Sequence, residues 1–364
     1  MKAGIVSLMA AIRTVLFALA CAGMFTGDAS AAQLEPERNG QESFIHHAVF
    51  SDGRLWLLSD AGLLSSIADG EDNRTDVTLP EPALDLWSQD GRPAVITCKR
   101  NGCTDWTLRK WIDGQWTTMA KVSTEGDRLA AVSGDGGTVT LLTNRRVVAI
   151  VGDSRTTISL SSPLPPLSIA STYIGPSGIF VGFSAGEWGG GLRRIDRQTG
   201  EVSTIERNVS GQLCGGPLNT DCDPVNGIAA EPWNPQCVAV AVGLVHFQQH
   251  GRIVEVCGNV VRRIYVKPHG KQPPESEKTR KLDEPFVTVA FFGLTRRADK
   301  LWAVGTDGLY EIERDGATRS VPLPKFKQIG GLSVSFDLPD IVLVLTNISQ
   351  RLSLSGSVPM LIPR

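Results

Sequence analysis

An all-β fold of repeated four-stranded units is what this sequence predicts, and three observations carry that reading. From residue 43 onward the chain is a succession of apolar segments, each about five to eight residues long. Asp-Gly, Asn-Gly, Gly-Gly or Pro turns separate them. No window of a dozen residues sustains a helical period, apart from a possible helical turn near 245–249. Spacing then selects the architecture. Second-strand markers at Leu55, Ala94, Val139, Ile179, Val238, Leu301 and Ile341 recur at about 39, 45, 40, 59, 63 and 40 residues. Blades of four strands need about 40–45 residues. A β-propeller of about seven four-stranded blades is therefore preferred to a sandwich or a barrel, with six or eight blades as the alternatives.

Residues 1–31 read as a secretory signal peptide. Lys2 and Arg13 precede an apolar run over 15–25, and the segment ends on Ala29-Ser30-Ala31, so cleavage is expected after Ala31. That apolar run is too short for a membrane anchor. Ala18-Leu19-Ala20-Cys21 loosely resembles a lipobox, with Ala and Leu at the wrong positions, so a lipoprotein at Cys21 is the weaker reading. Residues 32–42 form an N-terminal extension and 43–364 a single propeller domain. About 333 residues remain after cleavage, or about 48 per blade. A periplasmic or secreted location follows.

Composition bounds the function. The 364 residues are 41% apolar and 20% charged, with 38 glycines and 21 prolines, which excludes collagen, disorder and coiled coil. A net charge of -2 provides no basic field for a phosphate backbone, so nucleic acid is not an expected partner. No later stretch is apolar enough to span a membrane. A monomer is expected.

Along the ring, Trp56 and Trp302 occupy matching second-strand positions and read as core between blades. Trp87, Trp106, Trp111 and Trp116 belong to the second blade and read the same way. The segment 301–312, Leu-Trp-Ala-Val-Gly-Thr-Asp-Gly-Leu-Tyr-Glu-Ile, resembles the blade core of regulator-type β-propellers, and 55–64 is a weaker copy. Arg194–Val202 is similar to the hairpin between the third and fourth strands of quinoprotein-like propellers. The resemblance implies the fold and leaves activity open. The last strand, near 359–362, is expected to lie close to the first blade and help close the ring.

Beyond Cys21, six cysteines remain, and an even number in an exported chain reads as disulfides. Nearest neighbours are favoured. Cys98 and Cys103 flank an Asn-Gly turn, and Cys214 and Cys222 bracket a loop. Cys237 opens one predicted strand and Cys257 closes the next. Their spacings match no zinc ribbon or finger.

Ligand chemistry is expected on the loop-rich top face, where the fourth-to-first and second-to-third strand connections meet. Insertions at 208–225 and 268–285 lengthen that face, the second being strongly polar, and tolerated surface loops are the plain alternative. Glu187 and Trp188 precede a triple glycine that includes Gly190, where backbone or ligand comes close. Blade register brings Asp223, Asn226, His246 and His250 toward them, so these seven residues form the candidate ligand site. One of His46 and His47 is expected to face the central channel, and His269 begins the second insertion. The histidines allow a metal site, but solvated or capping histidines are commoner, and no metal or cofactor is expected. Ser133–Thr140 resembles a sialidase turn and departs at Val139 and Thr140. There is no H-E-x-x-H or P-loop. Together these features suggest a module binding an envelope or extracellular protein, or a small-molecule or carbohydrate ligand. An extracytoplasmic enzyme acting on a sugar, lactone or peptide is the alternative.

Overall fold

The computed structural model describes residues 45–71, 73–185, 189–208, 215–245, 248–270, 287–323, 332–336, 341–347 and 357–363. These residues form strands and turns only, and none of them forms a helix able to cross a membrane. Residues 1–31, expected to be a signal peptide, lie outside them.

Six four-stranded sheets and one three-stranded sheet follow one another along the chain. The first blade is β1 (Ile45–Ser51), β2 (Arg54–Ser59), β3 (Leu64–Ala68) and β4 (Thr75–Val77). The second is β5 (Ala83–Gln89), β6 (Arg92–Thr97), β7 (Asp105–Ile112) and β8 (Gln115–Ser123). The third is β9 (Leu129–Asp135), β10 (Thr138–Thr143), β11 (Arg146–Val151) and β12 (Ser154–Ser159). β13 (Ile169–Gly175), β14 (Gly178–Phe183), β15 (Leu192–Ile195) and β16 (Val202–Ile205) make the fourth. β17 (Val225–Ala230), β18 (Val238–Val245), β19 (Gln248–Cys257) and β20 (Val260–Tyr265) make the fifth. The sixth is β21 (Phe291–Arg297), β22 (Lys300–Gly305), β23 (Gly308–Ile312) and β24 (Thr318–Pro322), and the last sheet is β25 (Leu332–Ser335), β26 (Ile341–Asn347) and β27 (Ser357–Pro363). All pairings are antiparallel between neighbours in sequence, and every second-strand marker falls on a second strand.

The period of two explains why the sheets assemble into a ring. On β18, Val238, Val240 and Val242 pack against Phe180 and Leu192 of the fourth blade. The alternate residues Ala239 and Ala241 pack against Phe291, Ala303 and Tyr310 of the sixth. All six residues of β14 are buried, with Ile179, Val181 and Phe183 on one side and Phe180 on the other. A blade with two apolar faces needs two neighbours. Inner strands touch in order, and β25 meets β1 to complete the circle. There Ser335 Oγ donates to the Ala48 carbonyl at 3.1 Å.

Two expectations need correction. The last strand does not bring the ring to the first blade; β27 is the third strand of its own sheet, paired with β26, and closure runs through β25. At the possible helical turn near 245–249, Val245 ends β18 and Gln248 begins β19, and the two residues pair.

Cys98 bonds Cys103 and Cys237 bonds Cys257, with Cα–Cα distances of 5.6 and 4.5 Å. The second joins the ends of a paired hairpin, in which Val238 faces Val256. Cys222 is also disulfide-bonded, while Cys214 lies outside the described residues.

Trp56 shows why the tryptophans sit between blades. It is fully buried, its Nε1 donates to the Ser51 carbonyl at 3.0 Å, and it meets Trp111 and Trp116 edge-on at 5.3 and 5.6 Å. Trp56→Ala is expected to lower unfolding free energy by about 3–5 kcal/mol in denaturant titration. Met119→Ala, on an outer strand, is expected to stay within about 0.5 kcal/mol. Equal effects would contradict this account of the interface.

Candidate functional site

Each inner strand enters from the fourth-to-first connection, so the starts of these strands surround one mouth of the central channel. A cavity of about 570 Å³ lies there. Val132, Phe292 and Val334 are among its apolar lining residues, and His47, Asp85, Thr172 and Asn226 are among its polar ones. His47 Nδ1 and Asp85 Oδ1 are 2.8 Å apart, a hydrogen-bonded contact across the first two blades. Asp85 Oδ1 also accepts from the Leu86 amide at 2.8 Å, which orients the carboxylate. Both residues stand beside register shifts in their strands. Such a bulge re-aims a side chain. Asn226 Nδ2 lies 3.4 Å from the Phe291 carbonyl, tying the fifth blade to the sixth.

Of the seven residues proposed from sequence, Glu187, Trp188 and His246 lie outside the described residues, as does the side chain of His46. The other four divide. Asn226 lines the channel cavity. Gly190 lies in the second-to-third connection of the fourth blade, where its amide donates to the Thr220 carbonyl at 3.0 Å. At φ 143° a Cβ would come within 2.2 Å of the Phe183 carbonyl oxygen, so only glycine fits. The next amide, of Gly191, donates to the Asp223 carbonyl at 2.8 Å. The glycines thus seat the fourth blade's loop on 219–223.

Asp223 is fully buried. Its Oδ2 accepts from the Asn219 amide at 2.6 Å and pairs with the Arg252 guanidinium, itself 1% exposed. Arg252 also donates to the carbonyls of Pro217, at 2.8 Å, and His250, at 3.3 Å. His250 lies on β19 rather than in a loop, bridged to Thr288. One arginine therefore fastens the described end of the 208–225 insertion to the fifth blade. Sequence reasoning missed it.

Charge is also buried at the opposite end of the ring. Glu231, Cys237, Glu255 and Cys257 cluster with donor atoms within 4.8 Å of one another. The two sulfurs are bonded together and Arg262 holds Glu255, with Nη2–Oε1 at 2.8 Å, so this set does not fit a cation. Burial, then the hydrogen bond to Glu255 and its charge, push Glu231 up to about 7. Burial raises Glu255 too, but Arg262 and the Glu231 contact outweigh it and hold that carboxyl below its usual value.

No family model and no curated protein sequence matches the chain. Solved structures do. YCF48 from Cyanidioschyzon merolae is 12% identical with a TM-score of 0.51, over 84% of this chain and 93% of that one. YCF48 bound to D1 peptide is 14% identical with a TM-score of 0.50, over 84% and 89%. The extracellular domain of the one-component system BT4673 from B. thetaiotaomicron is 14% identical with a TM-score of 0.48, over 84% of this chain. The match spans only 37% of that domain's length. Identities this low carry the architecture alone, and the chain is a β-propeller.

Two buried charges have measurable consequences. Arg252→Met leaves Asp223 buried without its cation, and a loss of about 3–5 kcal/mol is expected in denaturant titration. A loss below about 1 kcal/mol would show that the pair does not fasten the insertion. Glu231 titrates near the ordinary carboxyl value, about 4.3, when unfolded and near 7 when folded. Stability present below about 4.3 is thus lost as pH rises through about 7. Melting curves from pH 4 to 8 should show this fall in the wild type, and Glu231→Gln should flatten it.

Proposed function

We propose that this chain is an exported binding propeller that takes a protein, small-molecule or carbohydrate ligand at the mouth of its central channel. The observation that carries this reading is the channel cavity, a concave site in which His47, Asp85, Thr172 and Asn226 converge among apolar side chains, as placed polar groups do in ligand sites. His47–Asp85, Thr172 and Asn226 supply orientation, and Phe292 and its apolar neighbours supply contact area. The 208–225 and 268–285 connections leave the ring at this end. Loops of such length in a compact domain are more often functional than decorative. Export is supported by the disulfides, which persist in oxidising compartments. YCF48, of similar fold, is solved with a peptide bound. The His47–Asp85 pair also supports an enzyme of the same site, since a carboxylate-oriented imidazole is suited to moving a proton.

Thr172→Trp places a large side chain in the channel mouth. Wild-type protein immobilised from its native source is expected to retain a component of the exported fraction that Thr172→Trp loses, with normal circular dichroism for both. Equal retention would remove the channel from the reading. Mass spectrometry of the same material should show a mature chain beginning after Ala31.

A further inference from the structure

The turns after first and third strands lie at the end of the ring opposite the channel mouth. A cleft of about 440 Å³ opens there between the fifth and sixth blades. We propose that this cleft is a second binding site, for a sugar acid whose hydroxyls donate to Glu231 and whose carboxylate meets Arg314.

Glu231 carries the case. It is 2% exposed, it lines the cleft, and no N–H or O–H among the described residues reaches its Oε2. A buried acceptor without a donor is costly, and a ligand hydroxyl meets that need. Trp233 stands beside it, with Nε1 donating to the Asp299 carbonyl at 2.6 Å, so the indole is pinned between the two blades. An immobilised aromatic surface is a platform for the apolar face of a pyranose ring.

Charge selects the acid over a neutral sugar. Arg262, Arg263 and Arg314 line the cleft with Glu231, Glu255 and Asp315. Arg262 is committed to Glu255 through two hydrogen bonds, and Asp315 Oδ1 accepts from the Ala317 amide. Burial keeps Glu231 from ionising fully near neutrality. Arg314 is exposed and close enough for its charge to act on Glu231. Guanidinium groups match carboxylates in geometry.

The test is calorimetric titration of the full, oxidised protein with glucuronate, galacturonate and gluconate, with glucose as the neutral control. At least one acid is expected to bind at pH 6 at least tenfold more tightly than glucose. Arg314→Ala should lose about tenfold for the acid and nothing for glucose. Glu231→Gln keeps the volume but presents an amide, and should weaken acid and glucose alike. Wild-type affinity for the acid should fall as pH rises from 6 to 8, and Glu231→Gln should remove that slope. Thr172→Trp, at the far mouth, should bind the acid normally, which separates this site from the channel. Absence of binding by all three acids, or binding indifferent to both Arg314→Ala and Glu231→Gln, would overturn the proposal.

Discussion

Two apolar faces on every blade are the constraint from which the rest follows. A strand such as β14, buried along its whole length, makes a sheet that is insoluble alone and complete only between two others. The alternation on β18 shows how neighbours are matched. Valines on one side meet bulky residues of the fourth blade, while alanines on the other admit the rings of Phe291 and Tyr310. Blade order is thus encoded in side-chain size as well as in sequence order, since close-packed interiors tolerate little exchange of volume.

With the hydrophobic surface consumed between blades, polar chemistry is left to the axis and the two ends. At one end His47 and Asp85 join adjacent blades within the channel mouth. At the other, Glu231 and Glu255 share a buried position near neighbouring arginines. The Asp223–Arg252 pair differs from both. It is fully withdrawn from solvent and holds a loop, so it belongs to the framework on which a site is carried. A carboxylate in an elaborated loop is an attractive candidate for ligand chemistry on sequence grounds, and burial assigns this one to architecture.

Periodicity made the fold legible. Short segments at intervals of about 40 residues, lengthened twice to about 60, located a second strand in every sheet, and the pair Cys237–Cys257 followed from strands that had to run side by side. Local turn chemistry was equally readable, as at Gly190. What sequence did not reveal depends on contacts across blades. Arg252 reaches Asp223 from a different connection, and Trp233 reaches Asp299 from the neighbouring blade. Glu231 and Glu255 are ordinary acidic residues until the hairpin of the fifth blade brings them together. Blade register placed Asn226 among the candidates, but His47 needed the bulge in β1 to fix which of two adjacent histidines faces the axis.

Closure by β25 on β1 has a kinetic meaning. Strand pairings within a blade join residues close in the chain, so each hairpin can form early and independently. The contact between Ser335 and Ala48 spans 287 positions and bears the entropy of the largest loop in the domain. Until it forms, the outer faces of the first and last sheets stay wet, and the partly built arc is a sticky intermediate. Assembly of this ring is therefore slowest, and most exposed to aggregation or to a chaperone, at a single seam that no disulfide among the described residues crosses.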